Sequence, residues 1–122
     1  MAAARNCLCL ERGVSDRRFD LEIRQGIFEK AKQDLDALER EVERVRPTVN
    51  VDNAQDIDSF RSLLARRDAA RTHYERTAVP DQQQAVARFN VSVQQLNAAC
   101  QGRAFSTYAW ERAGKDLACP RN

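Results

Sequence analysis

Apolar residues at alternating steps of three and four are what most constrain the fold of this chain. Val86, Phe89, Val93, Leu96 and Cys100 keep that spacing, with amides rather than charges beside them. Such residues lie along one side of a 3.6-residue helix and need another helix to cover them. A second stripe is read through Phe19, Ile23, Ile27, Ala31, Leu35, Leu38, Val42 and Val45. The fold class expected from these stripes is all-α: an antiparallel three-helix bundle of long amphipathic helices with a short fourth C-terminal helix.

Breakers and caps set the expected boundaries. Residues 1–14 read as an irregular N-terminal lead broken by Gly13, and residues 15–122 as a single helical-bundle domain. Ser15 is the expected N-cap of the first helix, which runs to Val45 and stops because a residue before proline avoids helical geometry, here Arg46 before Pro47. Asn53 is placed to cap a second helix from about Ala54 to Thr77. The segment Ala78–Asp81 is read as a break, with a kink at Pro80 as the alternative. A one-residue slip of heptad phase across Pro80 favours the break. A third helix then covers about Asp81 to Gln101, with Gly102 as a left-handed cap. Ser106 or Thr107 starts a fourth, ending near Leu117.

Charge narrows the function classes. Lys plus Arg number 20 and Asp plus Glu 18, a net of +2, and the two signs are interspersed. A nucleic-acid binder concentrates positive charge on one face, so no nucleic acid is expected as a partner. Arg66, Arg67 and Arg71 form a small basic cluster, but Asp68 and Glu75 interleave with it, which reads as a partly paired solvated face. His73, among arginines, has no Ser, Cys or carboxylate at triad spacing and reads as a surface residue. No stretch reaches the ~20 apolar residues that would span a bilayer, so no membrane insertion is expected.

The four cysteines allow two readings. Cys100 and Cys119 are read as a disulfide, provided that Gln101–Ser106 travels out as an extended strap and the fourth helix returns. That bridge would place the protein in the periplasm or outside the cell; without it, and with Met1–Leu10 too short for a secretory leader, the cytoplasm is expected. Cys7 and Cys9 can chelate a metal from an extended loop, but a zinc site needs four ligands, so no metal and no cofactor are expected.

Two surface features remain. Gln83, Asn90 and Asn97 recur every seven residues beside the apolar seam, and Gln94 adds to the same uncharged surface. Either these amides fix register inside the bundle or they form a face that a partner covers. Phe105, Tyr108 and Trp110 concentrate aromatic area in one short segment, as an end plug or as a binding hot spot. The expected function is a non-enzymatic interaction protein that binds a protein partner, or a second copy of itself, through Asn90, Gln94, Asn97, Phe105, Tyr108 and Trp110. The alternative is a thiol-dependent metal-binding or redox protein using Cys7 and Cys9.

Overall fold

The computed structural model describes residues 2–102, 105–115 and 117–120. Every regular element among them is helical: α1 (Ala2–Val45), a 3₁₀ turn (Arg46–Thr48), α2 (Ala54–His73), a π-helical turn (Tyr74–Ala78), α3 (Val79–Cys100) and α4 (Thr107–Gly114). The chain divides into two compact units, residues 23–83 and residues 1–22 with 84–122.

The first correction concerns the N-terminus. There is no irregular lead before Ser15, because α1 already begins at Ala2. Ala2, Ala3, Ala4, Leu8 and Leu10 are strong helix formers, and they outweigh the ~1 kcal/mol that Gly13 costs. Cys7, Leu10 and Val14 also extend the inward spacing of three and four toward the terminus.

The inward face of α1 is not the stripe expected. Its buried or half-buried positions include Cys7, Leu10, Val14, Arg17, Leu21, Arg24, Phe28, Ala31, Leu35, Leu38, Val42 and Val45, a strict alternation of three and four. Phe19, Ile23 and Ile27 point to solvent instead, 65 %, 46 % and 41 % exposed. Four successive steps of four rotate a stripe by about 160° around a 3.6-residue helix, so Phe19 cannot share a face with Leu35. Arginines at positions 17 and 24 hide the true seam from an apolar count.

In residues 23–83, α1 runs antiparallel to α2 and the π turn. Arg46 lies over the Phe60 ring (5.5 Å) and Glu39 accepts from Arg71 (3.0 Å). The rings of Phe28 and Tyr74 stand 5.6 Å apart, and Gln82 donates to Gln25 (3.0 Å). Partner numbers rise as α1 numbers fall. Ala31, Leu35, Val42, Leu63 and Ala78 are buried there. The connector is held by Asn50, whose side chain accepts from the Asp52 amide (3.0 Å), and by Asn53, whose side chain caps α2 by accepting from Gln55 and Asp56.

Pro80 does not break the chain, which stays helical from Ala54 to Cys100, so the reversal expected at 78–81 is absent. The π turn supplies the reason. The Val79 amide donates to the Tyr74 carbonyl five residues back, which inserts one extra residue just before the proline. That insertion absorbs the one-residue phase slip: inward positions run Leu63, Arg67, Ala70, Tyr74, then Ala78, Gln82, Ala85, Phe89. It also loosens the turn against which the Pro80 ring would clash.

In the other unit, α3 runs antiparallel to the start of α1. Cys7 is bonded to Cys100 (Cα–Cα 5.8 Å), Arg18 lies over the Phe89 ring (5.7 Å), and Ala4, Val14 and Ala85 are buried. Gly102 takes φ +77° after α3, as its predicted cap role requires. Ser106 caps α4 by accepting from Ala109 (3.1 Å), and Ala113 of α4 is fully buried.

A second bond joins Cys9 to Cys119 (Cα–Cα 5.3 Å). The expected Cys100–Cys119 bridge is therefore replaced: Cys100 spends its sulfur on Cys7, which the helical N-terminus brings opposite it. The strap invoked for that bridge includes residues 103 and 104, which lie outside the described residues.

The two bonds join neighbouring positions, so they are not independent. The first closes a loop of 93 residues, worth about 4.7 kcal/mol in the chain-entropy model. Given the first, the second closes an effective loop of about 20 residues, worth about 3 kcal/mol. Replacing either pair alone by alanines is expected to lower the unfolding free energy by about 3 kcal/mol, and replacing both pairs by about 8 kcal/mol. Urea unfolding of the two double variants and the quadruple variant measures this.

Candidate functional site

The surface of residues 84–100 is nearly free of charge because the sequence places a single ionisable residue there, Arg88. Asn90, Gln94 and Asn97 are all exposed on α3, and so is Gln83 in the other unit. The amide repeat thus lies outside the helix pairs and does not fix register from within. Val91, on the same helix, is 50 % exposed.

Two adjoining grooves border α3. One, of about 320 Å³, is lined by Leu10, Gly13, Arg17, Arg88, Val91 and Gln95 among others. The second, of about 780 Å³, runs past Arg5, Asn6, Ala98, Ala99, Ala118 and Pro120. They share Cys9, Leu10 and Gln95, so the Cys9–Cys119 bond stands at their common edge. Three arginines line the pair of grooves and no carboxylate does. Sequence reasoning missed Leu10, Arg17, Arg88 and Val91. It took residues 1–14 as irregular, and so had no helix to set beside α3.

The aromatic segment is split. Phe105 and Trp110 are half-buried and meet edge to face, with ring centroids 5.1 Å apart. Tyr108 is 66 % exposed, under the Arg112 guanidinium at 5.9 Å. Two of the three rings thus satisfy each other, and one is presented to solvent.

Cys7 and Cys9 are not in an extended loop. On a helix, residues two apart project about 200° from each other, so one ion could join both sulfurs only with the first turns of α1 unwound. Both sulfurs are bonded to other cysteines. Among the described residues, no group of three or more His, Cys, Asp or Glu side chains is placed to hold a metal ion. No helix among them is long and apolar enough to cross a membrane.

The arginine cluster of α2 is partly paired. Arg71 donates to Glu39 across the helix pair and Arg67 donates to its neighbour Asp68 (2.8 Å), while His73 is exposed. On α1, Arg44 donates to Glu41, and Arg66 of α2 adds its field. The Arg44 hydrogen bond, then the charges of Arg44 and Arg66, hold the Glu41 carboxyl below its ordinary value. The bond with Glu39 likewise raises Arg71.

Compared with models of protein families, with curated proteins and with solved structures, the chain matches none.

A lowered carboxylate value stabilises the fold above the unfolded value and loses that effect as pH falls through the folded one. Glu41→Gln is therefore expected to lower the urea midpoint at neutral pH. The difference from the parent should shrink below pH ~4.3 and vanish in stronger acid. Paired urea titrations from neutral to strongly acid pH measure it.

Proposed function

We propose that this chain is a non-enzymatic interaction protein whose partner is another protein, bound through α3 and the aromatic segment that follows it. The observation that carries this reading is the uncharged, partly apolar outer surface of α3, with Asn90, Val91, Gln94 and Asn97 exposed together. Interface centres are depleted of charge, whereas a merely solvated helix face carries charges. Tyr108 supplies an exposed aromatic anchor in the segment that follows α3. The grooves bordered by Arg5, Arg17 and Arg88 suit a partner segment that brings carboxylates to the rim and apolar groups to Leu10 and Val91.

The three-helix packing expected from the sequence belongs to this reading. In residues 23–83 α1 pairs with one antiparallel segment, and a third helix laid against that pair would come from a partner. Two disulfides in so small a chain favour an oxidising compartment as the place of work.

The competing thiol reading asks for the reduced form. It predicts stoichiometric zinc or copper binding once both bonds are opened, and loss of that binding in Cys7→Ser with Cys9→Ser.

A photo-crosslinking side chain placed at Gln94, and as control at Arg40, tests the surface in the cell of origin. A single cross-linked species of defined mass from Gln94 only, weakened by Val91→Glu, is the expected result. Equal labelling from both positions, with tight metal binding by the reduced chain, would favour the thiol reading instead.

A further inference from the structure

The solvent face of α1 carries a second pattern, distinct from the seam and from α3. Arg12, Asp16, Phe19, Ile23, Ile27, Lys30 and Asp34 are all exposed. On a helix turning about 100° per residue, all seven fall within about 40° of the Ile23 direction. The register belongs to one unbroken element and follows from that helix alone.

The spacing is symmetric about Ile23: four residues to each side stand Phe19 and Ile27, seven to each side Asp16 and Lys30, eleven to each side Arg12 and Asp34. Apolar character is preserved through this centre and charge sign is inverted. Phe19, Ile23 and Ile27 leave a run of large apolar groups in water, which isolated surface residues do not. Each end carries one cation and one anion four residues apart, and at one end they already pair, Lys30 with Asp34 at 3.2 Å.

We infer that two copies of this chain pair through this face of α1, antiparallel, about a two-fold axis at Ile23. The pairing lays Phe19 on Ile27 of the other copy and Ile23 on Ile23. It sets Asp16 opposite Lys30 and Arg12 opposite Asp34 at both ends, so each end becomes a four-charge network. A two-fold interface must be self-complementary, and this sequence of groups is. Parallel pairing would put Asp16 on Asp16 and Lys30 on Lys30, so charge selects the antiparallel arrangement. The inference does not depend on the α3 reading, because it uses a different face.

Analytical ultracentrifugation of the full oxidised chain, from roughly 1 to 500 µM, reads the association directly. The parent is expected to sediment as a dimer in the upper part of that range, and Ile23→Glu as a monomer of unchanged helicity. Asp16→Lys alone and Lys30→Glu alone each create two like-charge contacts and should weaken the dimer roughly tenfold. Mixed together, the two charge variants restore every opposite pair and should form a heterodimer of parent-like affinity. A variant that merely failed to fold would not be rescued in this way. A parent that stays monomeric throughout, or an Asp16→Lys and Lys30→Glu mixture no tighter than either alone, overturns the proposal. So does a dimer lost in Val91→Glu but kept in Ile23→Glu, which would assign self-association to α3.

Discussion

Within each unit α1 lies against an antiparallel helical segment, and a seam of that kind is narrow. Among the described residues only ten apolar side chains are buried, five of them alanines, and the largest fully buried ones are Val42 and Cys7. At about 25 cal/mol per Å² of apolar surface, such a lining gives much less stabilisation than the thick core of a globular domain of this length. Cross-links therefore carry weight that a core would otherwise carry. Cys7 makes the dependence concrete, since it is at once a seam residue and one end of a covalent bond. The thin seam also leaves apolar groups over, and these turn up on the outer faces of α1 and α3.

Polar groups within the seam answer a different need. Arg24 and Gln25 sit at half-buried positions, facing Asp81 at 3.7 Å and Gln82 at 3.0 Å. Alanine and valine layers slide past one another with little preference, so a thin apolar seam specifies alignment weakly. A paired polar layer loses its partners when the alignment shifts by a heptad, which fixes one register at some expense of stability. The layer comes directly after the π turn, where the facing helix has just changed phase.

Much of the local structure was legible in the sequence because its signals are chemical and short-ranged. Asn53, Ser106 and Gly102 act as caps, and Arg46–Pro47 ends α1, each for the reason that the residue type suggests. What escaped depends on context. Arg17 and Arg24 occupy seam positions, so an apolar count followed Phe19, Ile23 and Ile27 around the helix to the wrong side. The phase slip at Pro80 was visible, but a slip is satisfied equally by a loop or by one added residue in a continuing helix, and spacing does not choose between them. Cysteine pairing required knowing that residues 1–14 are helical, and Gly13 and Ser15 argued locally against it. The amides of α3 were visible as a seven-residue repeat, while their outward placement and the groove beside them needed α1 in place.

The bond between Cys9 and Cys119 has a mechanical consequence. Held by its two ends, the oxidised chain transmits load from Ala2 along a few residues to Cys9, across the sulfurs, and out through Pro120. Tension bypasses everything from Leu10 to Ala118, helices included. Pulling therefore draws almost no slack from the molecule, however weakly its seam is held. Cutting the two sulfur bridges returns those helices to the load path, and the same force then pays out their whole contour.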